Sequence, residues 1–137
     1  MNAADLIAEA RTLLGTPFLH QGRQPGVGID CGGLIVHLLA FAGIDYDITG
    51  YSRVPAGDRL KRHCDAVLES KSKYELEPAD VLLFSIKRDP QHIGLYTGRT
   101  IVHAWYSAGP SAGVVEHRLT DLWTKRLVAA YRIPGIG

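Results

Sequence analysis

The chain has 137 residues, a length that fits one domain, expected over 1–137, with a full hydrophobic core. Hydrophobic residues make up 46% and charged residues 21%, an ordinary globular balance. A net charge of +1 without a long run of like charges gives no case for nucleic-acid or anionic-membrane binding.

The N-terminus, Met1 to Ile7, lacks the basic and apolar regions of a secretory signal, and no stretch is long enough to span a bilayer. Synthesis in the cytoplasm without a signal peptide is expected. Asn2 to Leu14 reads as a first helix, with a stripe of Leu6, Ala10, Leu13 and Leu14, Asn2 as cap and Gly15 as stop. Thr16 to Val27 is rich in glycine and proline and reads as loop. Its segment His20-Gln21-Gly22-Arg23 leads into Gly28-Ile29-Asp30-Cys31-Gly32-Gly33-Leu34.

That second segment reads as a loop turning into a helix. Asp30 is the N-cap and Cys31 the first helical residue. Leu34, Ile35, Leu38, Leu39 and Ala42 recur at helical spacing, and Gly43 stops the helix. With Val36, Ala40 and Phe41 on the remaining positions, the helix is apolar almost all round, which predicts burial. A cysteine there is chemically biased, because the open N–H groups and the dipole of a helix start favour a thiolate. Asp30 opposes this with its own charge, so an imidazole is needed to activate the sulfur.

Ile44 to Gly57 reads as a polar loop carrying Tyr46, Tyr51, Arg53 and Pro55. Arg59 to Ser70 is helical by pattern, with Leu60, Cys64, Val67 and Leu68 on one side, which gives Cys64 a packing role. The two cysteines make neither a disulfide framework nor a CxxC metal site. The second half changes to strand patterns: Val81 to Ile86, His92 to Tyr96, Ile101 to Trp105, Gly113 to Leu119 and Leu127 to Ile133, with a turn of helix at Asp121 to Thr124. Strands joined by short connections imply an antiparallel sheet of about five strands, with helices from the N-terminal half, and the class is α+β.

Of six histidines, His37, His63 and His117 read as structural or solvated. His92 and His103 differ. A two-residue turn at Gly98-Arg99 makes His92 face Trp105, and His103 lies two residues from Trp105 on the same face. The two imidazoles are then diagonal neighbours, about 7 Å apart between backbones and close enough to join ring to ring. A cysteine at a helix start, a histidine beside it and a second group holding that histidine form a papain-type arrangement. The imidazole takes the thiol proton and later protonates the leaving amine. Backbone N–H groups at the helix start, that of Cys31 among them, are candidate oxyanion donors. Zinc on these side chains is the competing reading, but no pair such as HxxxH is present. No metal and no cofactor are expected.

These residues resemble the NlpC family of bacterial cell-wall cysteine peptidases. The likeness rests on Leu14-Gly15-Thr16-Pro17-Phe18, Gly28 to Leu34, Pro78-Ala79-Asp80-Val81-Leu82-Leu83-Phe84, His92-Ile93-Gly94-Leu95-Tyr96 and Ile101-Val102-His103-Ala104, in the family's order. His20-Gln21-Gly22-Arg23, Tyr51-Ser52-Arg53 and Val114 to Leu119, with Trp123 and Arg126, are similar to the phage-tail and gene-transfer-agent branch. The resemblance implies a papain-like fold, Cys31 as nucleophile, His92 as general base and acid, and His103 as the orienting group. It implies the peptidoglycan stem peptide as substrate, cut between γ-D-glutamate and the diamino acid. It also implies tail or baseplate proteins as partners and action in the periplasm or cell wall. Phe18, His20, Asp30 and Gly32 are the candidate substrate or oxyanion positions. Two of them depart from the pattern: Gly32 stands where many relatives have serine, and Phe18 where many have a tyrosine whose hydroxyl His20 is placed to replace. A structural tail component with the same fold, or an amidase acting on another acyl substrate, are the alternatives.

Overall fold

Asn2 caps the first helix, α1 (Ala3–Thr12), in a reciprocal box with Asp5: each residue's side chain takes the other's backbone N–H. The computed structural model describes residues 1–51, 57–86, 88–106 and 112–137. Leu6, Ile7, Ala10 and Leu13 turn inward, while Leu14, expected in the stripe, is exposed just past the helix end. The predicted loop after it contains two short strands, β1 (Arg23–Gln24) and β2 (Gly28–Ile29), paired as a small antiparallel hairpin. The hairpin delivers the chain to α2 (Cys31–Phe41), which Ala42 caps and Gly43 ends at positive φ.

Leu34, Ile35, Leu38 and Leu39 of α2 are fully buried, each contributing about 1.5–3 kcal/mol of transfer free energy. The all-round burial expected for α2 is incomplete: Cys31, Val36 and His37 are half-buried, and Ala40 and Phe41 in the last turn reach the surface. The predicted third helix is shorter than its pattern. It runs as α3 (Arg59–Val67), and Glu69 onward leaves it as a strand, β3 (Glu69–Lys71). Ser52, Arg53 and Pro55 lie outside the described residues.

The remaining elements are β4 (Val81–Ile86), β5 (Asp89–Tyr96), β6 (Thr100–Trp105), β7 (Gly113–Arg118), α4 (Asp121–Arg126) and β8 (Leu127–Arg132). The main sheet has six strands in the order β3-β8-β4-β5-β6-β7, every neighbouring pair antiparallel. The count exceeds the expected five because β3 joins the edge beside β8. The sheet is not a simple meander either, since the last strand inserts between β3 and β4.

Both faces of the sheet are covered. Val81, Leu83, Ile93, Leu95 and Val102 pack with α1 and α2. Leu82, Phe84 and Ile101 pack under Trp123 of α4 on the other face. This two-sided cover is why β4 reads as an apolar run rather than an alternation.

Candidate active site

Asp30 links the hairpin to the helix start. It is buried, and its carboxylate accepts from Gly33 N at 2.8 Å, Gln21 N at 2.7 Å, Tyr51 Oη at 2.6 Å and Arg23 Nη1 at 3.1 Å. The first of these satisfies a helix-start N–H, as expected of an N-cap. Arg23 fans across the same loop: its guanidinium also donates to Asp47 Oδ1, to the carbonyls of Gly22 and Ile48, and to Tyr51 Oη. Burial first, then the bond to Asp30, raises the Tyr51 phenol above its ordinary range.

Gly32 follows from this cradle. A Cβ at that position would stand 3.0 Å from Tyr51 Oη, so the phenol occupies the place that a serine side chain would take. His20 stands edge-on to Tyr51, with ring centroids 5.6 Å apart, and its Nδ1 is 4.0 Å from Asp30 Oδ2. Phe18 lies edge-on to Tyr106 at 5.6 Å. His20 is thus beside the helix start, and Phe18 packs against an aromatic ring.

Cys31 is partly exposed and packs with the core on the α2 side. The backbone N–H groups of Ile93, Gly32 and Cys31 itself favour the ionised sulfur, but they are outweighed. Burial, and secondly the Asp30 charge, push the thiol up to about 12. The sulfur therefore rests as a neutral thiol against the residue that follows His92. Among the described residues no hydrogen bond joins it to His92.

The histidines form a row. The predicted hairpin register is present, with Leu95 opposite Val102 and Tyr96 opposite Ile101. His92 and His103 project from one face, and His92 Nε2 lies 2.5 Å from His103 Nδ1. Gly94 permits this, because a Cβ there would meet His103 Cβ at 2.9 Å. The row does not stop at two rings: His103 Nε2 is 2.6 Å from His117 Nε2, and His117 Nδ1 is 3.0 Å from the Arg118 carbonyl. Trp105 and Trp123 wall the rings, with centroids 5.0 Å and 5.7 Å from that of His92. Burial, with His117 and Arg126 as secondary electrostatic causes, holds His92 well below the ordinary imidazole range. Burial does the same to His103. A neutral thiol and neutral His92 and His103 rings are the resting state.

Of the sequence-predicted site, the structure brings His92 and His103 into contact and sets the Cys31 sulfur at the backbone N–H of Ile93, the residue after His92. It gathers His20, Asp30 and Gly32 around the helix start and leaves Phe18 outside that cradle. His117, read as structural or solvated, joins the ring row. Its signal was present in the alternation of β7: His103 pairs with Val115, and His117 lies two residues further on the same face. Arg23 and Tyr51 had no such local signal for their hold on Asp30.

The NlpC/P60 family model matches residues 15–132. The gamma-DL-glutamyl hydrolase of Bacillus subtilis is 26% identical over 133 residues, covering 93% of this chain and 29% of that protein. The chain thus spans less than a third of that relative's length. Among solved structures, an NlpC/P60 family protein from Bacillus cereus superposes with TM-score 0.72 at 22% identity, over 97% of this chain and 40% of that one. The NlpC/p60 domain of the peptidoglycan hydrolase SagA gives TM-score 0.69 at 22% identity, over 97% of this chain and 100% of that one. The peptidoglycan hydrolase RipB from Mycobacterium tuberculosis gives 0.62 at 22% identity, over 96% of this chain and 64% of that one. With its helices packed on an antiparallel sheet and the family's pattern running through most of its length, the chain belongs to the NlpC/P60 family of cysteine hydrolases.

Proposed function

We propose that the chain is a thiol endopeptidase that cuts the stem peptide of peptidoglycan, at the bond between γ-D-glutamate and the diamino acid. The observation that carries this reading is the His92–His103 ring contact beside a cysteine that opens a buried helix. In the reaction Cys31 Sγ attacks the scissile carbonyl carbon while its proton passes to His92. His92 then returns that proton to the leaving amine nitrogen, and water resolves the thioester. His103 holds the His92 ring, and the N–H groups of Cys31 and Gly32 are the oxyanion donors of this scheme. The resting thiol is neutral, so proton transfer accompanies attack rather than preceding it. The name of the Bacillus subtilis relative, a gamma-DL-glutamyl hydrolase, supports the choice of bond.

Delivery in a phage-like tail or baseplate, to the periplasm or cell wall, is the cellular setting we infer. It rests on the likeness of His20 to Arg23, Tyr51 and Val114 to Leu119 to the tail branch. Digestion of purified muropeptides, read by product mass, tests the chemistry. Wild type is expected to release new diamino-acid amino termini and Cys31→Ala none; equal cleavage by Cys31→Ala removes the proposal.

The neutral thiol favours one second reading, a structural particle component with the same fold. It expects no product from either protein.

A further inference from the structure

His117 lies at the far end of the ring row, outside the three residues of the proposed mechanism. Its Nδ1 is 3.0 Å from the Arg118 carbonyl, and a carbonyl can only accept, so Nδ1 carries the proton. In the neutral ring Nε2 is then bare and must accept from His103, 2.6 Å away. His103 therefore carries its proton on Nε2 and is bare at Nδ1, where it accepts from His92 Nε2 at 2.5 Å. The remaining nitrogen of the row, His92 Nδ1, is left without a proton. Among the described residues that nitrogen has no hydrogen-bond partner of its own.

We propose that His117 is a positioning residue: held by the Arg118 carbonyl, it sets the tautomers of all three rings and keeps His92 Nδ1 bare to take the thiol proton. The proposal rests on the assignment of His92 as the base. Among the described residues, the ring beside His117 other than His103 on β6 is Trp123 of α4, at 5.6 Å between centroids, and the Arg126 guanidinium lies 5.1 Å over Trp123. Neither can accept the His103 Nε2 proton. Without His117, that proton has no partner on the row. The row relaxes by reversing: His103 carries its proton on Nδ1 and donates to His92 Nε2. His92 Nδ1 then holds a proton and cannot receive another from sulfur. An oxygen acceptor in place of the His117 ring keeps the original polarity.

Nitrogen-detected NMR of the full chain near pH 7.5 tests the tautomer directly. A bare Nδ1 and a protonated Nε2 on His92 are expected, and the opposite pattern overturns the proposal without reference to activity. His117→Phe should move His92 to the Nδ1–H form and lower kcat on an L-Ala-γ-D-Glu-diaminopimelate peptide by about a hundredfold or more, with KM little changed. His117→Gln, whose side-chain oxygen accepts from His103, should recover most of that loss. Unchanged kcat and tautomer in His117→Phe, or no recovery in His117→Gln, overturns it. If wild type cleaves nothing, the peptidase reading fails, while the wild-type spectrum still decides the role of His117. That spectrum also decides the case if His117→Phe does not fold.

Discussion

Cys31 and His92 are both held away from their charged forms by the same cause, removal from water. A papain-like site is often described as a thiolate–imidazolium pair, but here burial opposes both ions. The thiol stands at about 12, and the imidazole lies well below its ordinary range. The helix-start N–H groups pull the sulfur the other way and lose, because the Asp30 carboxylate reinforces the burial. A consequence is visible in alkylation. Iodoacetamide labelling of Cys31, followed on its own peptide by mass spectrometry, should accelerate about tenfold per pH unit from pH 7 to 10 with no plateau, since only the thiolate reacts. A flat profile near neutrality would mean that the sulfur is already ionised.

Two helix caps show how context sets the worth of similar motifs. Asn2 caps α1 at an exposed end, where loss of the side chain costs about 1 kcal/mol. Asp30 caps α2 from inside the protein and also meets Arg23, Gln21 and Tyr51. Removing it strands a partly buried guanidinium and a phenol as well as a helix N–H. Asp30→Ala is therefore expected to lower unfolding free energy by about 3–5 kcal/mol, against about 1 for Asn2→Ala. Urea denaturation at neutral pH measures both, and equal losses would show that the Arg23 cradle adds nothing to the cap.

The whole molecule carries the cost of keeping two imidazoles neutral in its interior. His92 and His103 bind protons less readily in the folded chain than their ordinary value of 6.5 allows. Below that pH the unfolded chain takes up more protons, so stability falls as pH falls, and it is fully present only above about 6.5. Each ring contributes a loss of about 1.4 kcal/mol per pH unit, or about 2 kcal/mol per ring between pH 6.5 and 5. Asp65, Glu77 and Glu116, whose pKa values are lowered mainly by bonds to Lys61, Lys71 and Arg11, add losses of the same sign at more acid pH. The urea midpoint should drop clearly from pH 7.5 to pH 5. Coincident midpoints would show that the ring row accepts protons while folded.

Much of this fold is written in short-range patterns. Asp30 followed by an apolar helical period placed the start of α2, Gly98-Arg99 set the β5–β6 register, and that register put His92 and His103 on one face. Each follows from turn chemistry or side-chain period, which neighbouring residues decide among themselves. Other features depend on which distant segments meet. Nothing local in Glu69 to Lys71 says that it leaves a helical pattern to pair with β8, and nothing in β8 says that it inserts beside β4. Tyr51 reaches Asp30 and Gly32 across a loop, and His117 completes the ring row only because β7 lies beside β6 in one register. The ring contact of His92 with His103 was legible in the chain, whereas burial and the third ring came from long-range packing. Charge and hydrogen-bond polarity answer to everything within reach in space, and sequence distance does not record that.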